Sequence, residues 1–316
     1  MAMGGPARPE EVRPFLRALF ADPDLIQAPL GPLRRPFAHL MATLREKGAR
    51  RRYGLVGGSP LVEETRLQVA ALESELLKDG LPVELALAYG FPGPSDALAS
   101  LRARGVRLVL GLPMYPQWSR ATSGASLRAL ERALHGLQPS PGNDVAPMSL
   151  REVGPFPSLP GFIGPLAAQA REAMDRARSR GLHAAVLLTA HGLPERYVQQ
   201  GDPYVTQVEE SAAAFREAAG LAEPVRLGYQ SRLGPLRWVG PQVEEVVDEL
   251  ASRGTRALVV VPLTFLCEHL ETRYDLDLSL RSHAWTRGIL DYQRLPAPGA
   301  RPELIKGLAA LVRAAR

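Results

Sequence analysis

Short runs of apolar residues alternate with longer segments of mixed polarity along most of this chain. Apolar runs bounded by Gly or Pro are typical of buried strands, and apolar residues spaced three and four apart are typical of helices. Strands that alternate with helices predict an α/β fold with a parallel sheet in each half of the chain. The predicted strands are 83–89, 106–112, 184–189, 225–231 and 259–265, and the predicted helices are 9–20, 57–78, 94–104, 164–180, 205–219, 242–252 and 303–314.

The length of 316 residues suits two domains or one large domain. Residues 155–165 are rich in Pro and Gly, so we expect a boundary there, with one domain over 1–155 and a second over 156–316. The terminal helix is a candidate to pack back on the first domain. No Gly-x-Gly-x-x-Gly follows a predicted strand, so we do not expect a dinucleotide cofactor.

One predicted strand runs directly into a histidine. Residues 184–188 are apolar, and residues 189–194 (Thr-Ala-His-Gly-Leu-Pro) place His191 where Gly and Pro break regular structure. Ligands of open α/β sheets bind outside the carboxyl ends of the strands. His191 is therefore a candidate catalytic residue, and a histidine satisfied inside a turn is the alternative.

A later strand, 259–265, is followed by a row of acidic residues with a histidine among them. Glu268, Glu271 and Asp275 are spaced three and four apart, which aligns side chains on one face of a helix. Like charges aligned in this way repel one another. The row therefore indicates a site in which the carboxylates share a bound cation or a proton. A solvated acidic helix face is the alternative.

Together these two stretches resemble ferrochelatase, the family that inserts ferrous iron into a porphyrin to make haem. In that family a strand ends in a His-Ser/Gly-Leu-Pro turn with Gly-Asp-Pro-Tyr further on, matched here by 191–194 and 201–204. A later acidic-His-x-Glu-Thr-x-Tyr helix is matched by 268–274. The resemblance implies two Rossmann-like, chelatase-type domains, each a parallel sheet flanked by helices, with the active-site cleft between them.

The resemblance also implies roles for individual residues. His191 and Glu271 correspond to the core pair, which is catalytic and contacts the metal, and Glu268 and Asp275 extend it into a path for protons or metal. Whether His191 accepts protons or delivers iron stays open. The residues expected to contact the porphyrin are Met3, Tyr89, Tyr115, Trp238 and His269.

Further motifs extend the resemblance over nearly the whole chain. Residues 1–6 (Met-Ala-Met-Gly-Gly-Pro) are similar to a family turn in which methionine, here Met3, accompanies protoporphyrin IX, whereas tyrosine commonly accompanies coproporphyrin III. An apolar strand precedes that turn in the family and almost nothing precedes it here, so we expect the first strand either to be absent or to lie upstream. Residues 115–119 and 230–241 match two further turns of the family.

The charge and composition of the chain indicate which class of ligand or surface it binds. The net charge of +5 comes from arginines, several of them clustered, which indicates an anionic ligand or a membrane surface rather than nucleic acid. Residues 25–45 alternate apolar and arginine patches, and the resemblance implies a lip over the porphyrin pocket that touches the membrane. An ordinary amphipathic helix with a basic face is the alternative.

The single cysteine indicates a reducing compartment and excludes a four-cysteine iron–sulfur cluster built by this chain. We see no signal peptide and no apolar run of the roughly 20 residues that span a bilayer. We therefore expect a cytoplasmic protein with peripheral contact at the inner membrane.

The expected reaction is the metallation of a porphyrin, in which two pyrrole protons leave as Fe²⁺ enters. Fe²⁺ is then a substrate, and no cofactor is required. A histidine with a pKa near neutrality suits proton transfer, and imidazole and carboxylate bind Fe²⁺ without the tight hold of thiolates. The alternatives are a coproporphyrin III ferrochelatase, a chelatase for a corrin precursor and another metal, and a non-catalytic tetrapyrrole-binding protein.

Overall fold

The computed structural model describes residues 1–26, 28–137, 147–232 and 236–316. Contacts divide the chain into two compact units. Unit 1 contains Met1–Pro155 and Gly299–Arg316, and unit 2 contains Phe156–Pro298. Residues 139–143, whose sequence is typical of a loop, and the Gly234-Pro235 pair of the 230–241 motif lie outside the described residues.

Unit 1 is built mainly from helices. Buried leucines of α4 and α5, among them Leu98 and Leu130, form a cluster with Met148. The last helix of the chain, α11, packs against α3. The helices of this unit are α1 (Val12–Ala21), α2 (Arg34–Leu55), α3 (Leu61–Leu76), α4 (Pro94–Ala103), α5 (Ala125–Gly136) and α11 (Pro302–Ala314).

A short parallel pair, β1 (Leu108–Gly111) and β2 (Ser149–Glu152), forms the sheet of unit 1 in the described residues. Beyond β1, the nitrogen of Met1 donates a hydrogen bond of 2.7 Å to the carbonyl of Leu112. The N–H of Met114 donates in turn to the carbonyl of Met1 at 2.8 Å. This is the bonding of a parallel neighbour, so Met1 lies alongside the end of β1.

The strand predicted at 83–89 is absent from the described structure, although Leu85 and Leu87 are buried as that prediction required. The segment shows a single parallel bridge, between Leu87 and Ala2. A strand is defined by hydrogen bonds to a neighbour, and Ala2 supplies too short a neighbour to pair the whole segment. The prediction was wrong because an apolar pattern indicates that a segment is buried, but not that its backbone pairs with a neighbouring strand.

Unit 2 contains, in its described residues, a parallel sheet of four strands in the order β4-β3-β5-β6. Residues 184–190 of β3, one of the two inner strands, are buried, as expected for a parallel sheet covered on both faces. The register aligns His191 with Gln230 on one side and Thr189 with Pro262 on the other. The strands are β3 (Ala184–His191), β4 (Val225–Gln230), β5 (Ala257–Pro262) and β6 (Asp291–Arg294).

Helices flank this sheet. α6 packs against α8 and contacts β3 and β5, while α9 contacts β4 and β3. A cluster of fully buried side chains, which includes Leu187, Val260 and Leu276, joins the sheet to α9 and to the segment after β5. The helices of unit 2 are α6 (Pro160–Ser179), α7 (Glu195–Gln199), α8 (Tyr204–Ala219), α9 (Val243–Ser252) and α10 (Arg281–Thr286).

The helix that carries the acidic row differs from the expected geometry. Residues Glu271–Leu280 form a π-helix, and Glu268 precedes it. A π-helix closes hydrogen bonds between residues five apart and is found mostly at functional sites. Residues three and four apart lie on one face of an α-helix but not of a π-helix. Glu268, Glu271 and Asp275 are therefore not aligned, and each contacts different partners.

Candidate functional site

The backbone of His191 is fixed by two hydroxyl groups from other elements. Its N–H donates to Oγ1 of Thr264 at 3.3 Å, and its carbonyl accepts a hydrogen bond of 3.0 Å from the hydroxyl of Tyr204. The N–H of Tyr204 is itself bound by Oδ1 of Asp202 at 3.0 Å. The Gly-Asp-Pro-Tyr motif therefore begins α8 and anchors the turn that presents His191.

Gly192 allows the turn to close against the next strand. Its N–H donates to the carbonyl of Gln230 at 2.7 Å. A Cβ atom at this position would lie 2.7 Å from that carbonyl oxygen and 3.1 Å from the ring of Trp238. Trp238 is held there by an antiparallel bridge to Pro194. Glycine is thus required by close approach, and Trp238 is brought beside the His191 turn.

His269 and Glu271 form a close pair immediately after β5. The Nδ1 atom of His269 lies 2.6 Å from Oε2 of Glu271, and the imidazole is only 10% exposed. The ring of Phe265 packs edge-on against the His269 ring, with 4.2 Å between centroids. The same Nδ1 atom accepts a hydrogen bond of 3.1 Å from the backbone N–H of Glu271.

The three titratable groups interact with one another. Burial alone would raise the pKa of Glu271, but the charge and hydrogen bond of His269 and the charge of His191 lower it to about 2. Burial lowers the pKa of His191, with the charge of Glu271 acting in the opposite direction and that of His269 reinforcing the decrease. At neutral pH the site therefore holds an ionised carboxylate beside a neutral His191 imidazole.

Glu268 is occupied by donors from three directions. One oxygen accepts a hydrogen bond of 2.7 Å from Nη1 of Arg294 and another of 2.8 Å from the N–H of Ala297. The other oxygen accepts from the hydroxyl of Thr272 at 2.6 Å. Although burial opposes it, these bonds lower the pKa of Glu268. The carboxylate is fixed in its ionised form between the start of the π-helix and β6.

Asp275 lies near the end of β4. The hydroxyl of Ser231 donates to Oδ2 of Asp275 at 3.4 Å. Ser231 has a φ of +70°, which is uncommon for a residue other than Gly. Such backbone conformations cluster at functional sites, and here the turn directs the chain after Gln230 towards the π-helix.

Three of the predicted porphyrin contacts are neighbours within unit 1. The N–H of Tyr89 donates to the carbonyl of Met3 at 2.8 Å, and the ionisation of Tyr89 is opposed by that of Tyr115. The hydroxyl of Tyr89 donates to Oδ2 of Asp22 at 2.7 Å, and burial raises the pKa values of both phenols. The structure thus collects Met3, Tyr89 and Tyr115 in unit 1, while the other predicted site residues belong to unit 2.

Two supporting residues were missed from the sequence. Arg294 ends β6, a short strand of mixed polarity (Asp-Tyr-Gln-Arg) that carries no apolar signal. Tyr204 lies inside a recognised motif, but its spacing gives no indication that its hydroxyl reaches back to His191. Within the described residues, no three side chains of the His, Cys, Asp and Glu types converge to hold a metal ion.

The chain was compared with known proteins. A family model described as Ferrochelatase matches residues 1–316. The chain belongs to the ferrochelatase family. Ferrochelatase of Synechococcus sp. (strain JA-2-3B'a(2-13)) is 39% identical over 316 residues, covering 98% of this chain and 90% of that protein. Ferrochelatase of Gloeobacter violaceus is 37% identical over 315 residues, covering 98% of this chain and 94% of that protein.

Solved structures share the fold of this ferrochelatase. DR2241 from Deinococcus radiodurans, a multi-domain protein similar to chelatases, matches with a TM-score of 0.53 at 20% identity, covering 80% of this chain and 51% of that one. SirB from Bacillus subtilis, solved with Fe³⁺, matches with a TM-score of 0.51 at 15% identity, covering 78% of this chain and 87% of that one. At these identities the likeness concerns the fold alone.

Membership of the ferrochelatase family identifies the reaction. The chain is a metal chelatase that inserts ferrous iron into a porphyrin in haem biosynthesis. Fe²⁺ and the porphyrin are its substrates. The expectations of ferrochelatase membership, an α/β chelatase fold and iron insertion are therefore confirmed.

Substitution of Arg294 tests how firmly the ferrochelatase site is anchored. Arg294→Met leaves the carboxylate of Glu268 without its guanidinium partner, whereas Asp277 keeps Arg281, and Arg294 and Glu268 are each only 12% exposed. Removing one partner of a buried pair costs about 3 kcal/mol or more of unfolding free energy. We expect that loss in urea unfolding monitored by circular dichroism.

Arg180→Met is the matched control for Arg294→Met. Arg180 pairs with Asp291 of the same strand, β6, but its side chain is 56% exposed. Loss of such a surface pair costs about 1 kcal/mol or less. Equal effects of the two substitutions would contradict an anchoring role for Arg294.

Proposed function

We propose that this ferrochelatase metallates protoporphyrin IX with His191 as the acceptor of the pyrrole protons and Glu271 as its charged partner. The observation that carries the proposal is the group formed by His191, His269 and Glu271 at the carboxyl ends of β3 and β5. In it the partly buried, neutral imidazole of His191 lies within electrostatic reach of the ionised carboxylate of Glu271. A neutral imidazole can accept a proton at working pH, which an imidazolium cannot.

The roles follow from the proton balance of the reaction. Two pyrrole N–H bonds break as Fe²⁺ bonds to the ring nitrogens, so two protons must leave for each iron that enters. A proton taken by His191 makes an imidazolium, which the carboxylate of Glu271 stabilises. Nitrogen and carboxylate oxygen are ligands suited to Fe²⁺, so the same pair can contact the metal before transfer.

Asp275 is the proposed continuation of the path for protons or metal. It lies on the π-helix that begins with Glu271, and its contact with Ser231 connects it to the end of β4. Glu268 was expected on the same path, and that expectation stays a prediction. Its three donors favour an anchoring role, because a carboxylate on a path must exchange partners.

The proposed porphyrin contacts supply apolar and aromatic surface. The proposed contacts are Met3, Tyr89, Tyr115, Trp238 and His269. The choice of protoporphyrin IX is supported by Met3, by the turn at 115–119 and by the apolar lip. A substrate with two carboxylates needs less cationic and more apolar surface than one with four. No cofactor and no iron–sulfur cluster is required by this proposal.

His191→Ala and Glu271→Gln test the proton-acceptor pair. Loss of a general base costs about 100-fold or more in kcat, so we expect at least that decrease in anaerobic metallation followed by porphyrin absorbance. His283→Ala is the control, because His283 pairs with Asp248 elsewhere in unit 2. Turnover near that of the parent chain in either site variant would refute the assignment.

The pH dependence of the parent enzyme gives an independent check. The pKa of His191 is lowered from 6.5, so the imidazole stays neutral below that pH and becomes protonated only as pH falls further. The acid limb of kcat/KM is therefore expected below pH 6.5. An acid limb at or above that value would argue against His191 as the proton acceptor.

The substrate assignment predicts a higher kcat/KM for protoporphyrin IX than for coproporphyrin III. Both porphyrins would be assayed with Fe²⁺ under identical anaerobic conditions. A preference for coproporphyrin III would overturn the substrate assignment and leave the chelatase activity standing. Binding of either porphyrin without metallation would instead indicate a tetrapyrrole-binding protein.

We also propose peripheral membrane contact through residues 25–45. Leu33, Leu40 and Leu44 are exposed by 65%, 59% and 67%, and the last two lie one turn apart on α2. Arg34 holds the preceding loop by donating to the carbonyls of Ile26 and Ala28. None of the helices in the described part of the chain is long and apolar enough to cross a bilayer.

Flotation with anionic liposomes tests this contact. We expect the parent chain to float with the vesicles at low salt and the Leu40→Asp/Leu44→Asp variant to stay in the dense fraction, because charged side chains resist burial in the interface. Leu290→Asp is the control, since Leu290 is 71% exposed in unit 2. Equal flotation of all three chains would contradict the proposal.

A further inference from the structure

Gln230, the last residue of β4, carries a buried side chain whose polar atoms are unpaired. It is only 2% exposed, and neither Oε1 nor Nε2 has a hydrogen-bond partner among the described residues. A carboxamide offers one acceptor oxygen and two N–H donors. Unpaired polar atoms in a protein interior destabilise the fold, so such a group is found mainly where it binds water, an ion or a substrate.

The side chain of Gln230 lies on the face of the sheet that also carries the imidazole of His191. Side chains two residues apart along a strand point to the same face. A Cβ atom at Gly228 would meet α9, so Gln230, two residues further on, also points to the α9 side. Leu187, four residues before His191, belongs to the buried cluster that joins the sheet to α9. His191 and Gln230 therefore share this face.

His191 and Gln230 are also register partners in the parallel ladder. Neighbouring strands lie about 4.8 Å apart, so the side chains of two partners on one face are adjacent. One residue beyond Gln230, the hydroxyl of Ser231 donates to Asp275 of the π-helix. The unpaired carboxamide is therefore next to His191 and one residue away from the contact with Asp275.

Hydrated Fe²⁺ offers the hydrogen bonds that this carboxamide lacks. The ion carries water ligands, which it must lose before the ring nitrogens bind it. Water bound to a divalent cation is a stronger proton donor than free water. The Oε1 atom of Gln230 can accept a hydrogen bond from such a ligand, and Nε2 can donate to a water molecule released from the metal. The carboxamide is neutral, so it adds no ionic attraction that would retain the metal.

We propose that the carboxamide of Gln230 binds the water ligands of Fe²⁺ as the ion reaches His191 and Glu271, and accepts the water that the ion loses. This inference rests on the proposed function, which assigns metal contact to that pair. Loss of an outer-shell hydrogen bond typically lowers the affinity of a site for its metal about 10- to 100-fold. Gln230 is thus assigned to the iron and not to the porphyrin.

Gln230→Met removes the carboxamide and keeps a side chain of similar length. Because the carboxamide has no partner among the described residues, we expect the Tm of this variant to equal or exceed that of the parent chain. In an anaerobic calorimetric titration with Fe²⁺ alone, we expect the Kd to rise at least about tenfold. In metallation assays the KM for Fe²⁺ should rise by a similar factor, and the KM for the porphyrin should not change.

Gln68→Met is the matched control. Gln68 is a buried carboxamide of unit 1 that is 1% exposed, and its Nε2 atom donates to the carbonyl of Gly299 at 2.9 Å. We expect this variant to have a lower Tm and the same Kd for Fe²⁺ as the parent chain. Gln230→Glu retains an acceptor oxygen at the same place, so it should bind Fe²⁺ at least as tightly as the parent chain.

Two results would overturn the proposal. A Kd and a KM for Fe²⁺ equal to those of the parent chain in Gln230→Met, with Fe²⁺ binding lost in His191→Ala and Glu271→Gln, would refute the role of Gln230 alone. A decrease in Tm as large as that of Gln68→Met, with Fe²⁺ binding unchanged, would show that Gln230 holds a structural water only. Unchanged Fe²⁺ binding in both His191→Ala and Glu271→Gln would instead refute the metal contacts of the proposed function, and this inference with them.

Discussion

The contact between the carboxylate of Glu271 and the imidazole of His269 is the interaction on which the site in unit 2 depends. Burial alone would raise the pKa of Glu271, but His269, whose Nδ1 lies 2.6 Å from Oε2, and the charge of His191 lower it to about 2. The charge of Glu271 in turn acts on His191, whose own burial favours the neutral form. The two strand ends are thus coupled through the charges of Glu271 and His191.

The surrounding structure limits this electrostatic coupling to a few groups. Glu268, which directly precedes His269 in the sequence, forms an ion pair with Arg294, so its charge is neutralised by the guanidinium. Tyr204 and Thr264 fix the backbone of His191 rather than its ring. These backbone hydrogen bonds set the position of the imidazole ring. They do not involve the ring nitrogens, which can therefore exchange protons.

The sequence predicted the structure best where a buried apolar run is followed by a recognised motif. β3, β4 and β5 follow apolar runs, and His191 and Glu271 were found because each follows a strand that ends in a recognised motif. Strand pairing and helix type could not be predicted. In the described structure the apolar segment 83–89 has only one bridge, between Leu87 and Ala2, and a π-helix does not follow the residue spacing of an α-helix. Arg294 was missed because its strand has no apolar pattern and its partners lie 17 and 26 residues away.

A metal that must be passed on cannot be held tightly, and the proposed donor atoms, an imidazole and a carboxylate, suit that requirement. Fe²⁺ bound by Glu271 would compete with its contact with His269, and Fe²⁺ bound by His191 would compete with a proton. The single cysteine, Cys267, is only 4% exposed and is not among the proposed ligands. A porphyrin with four nitrogens can then remove the metal from a proposed site that offers two donors, neither of them a thiolate.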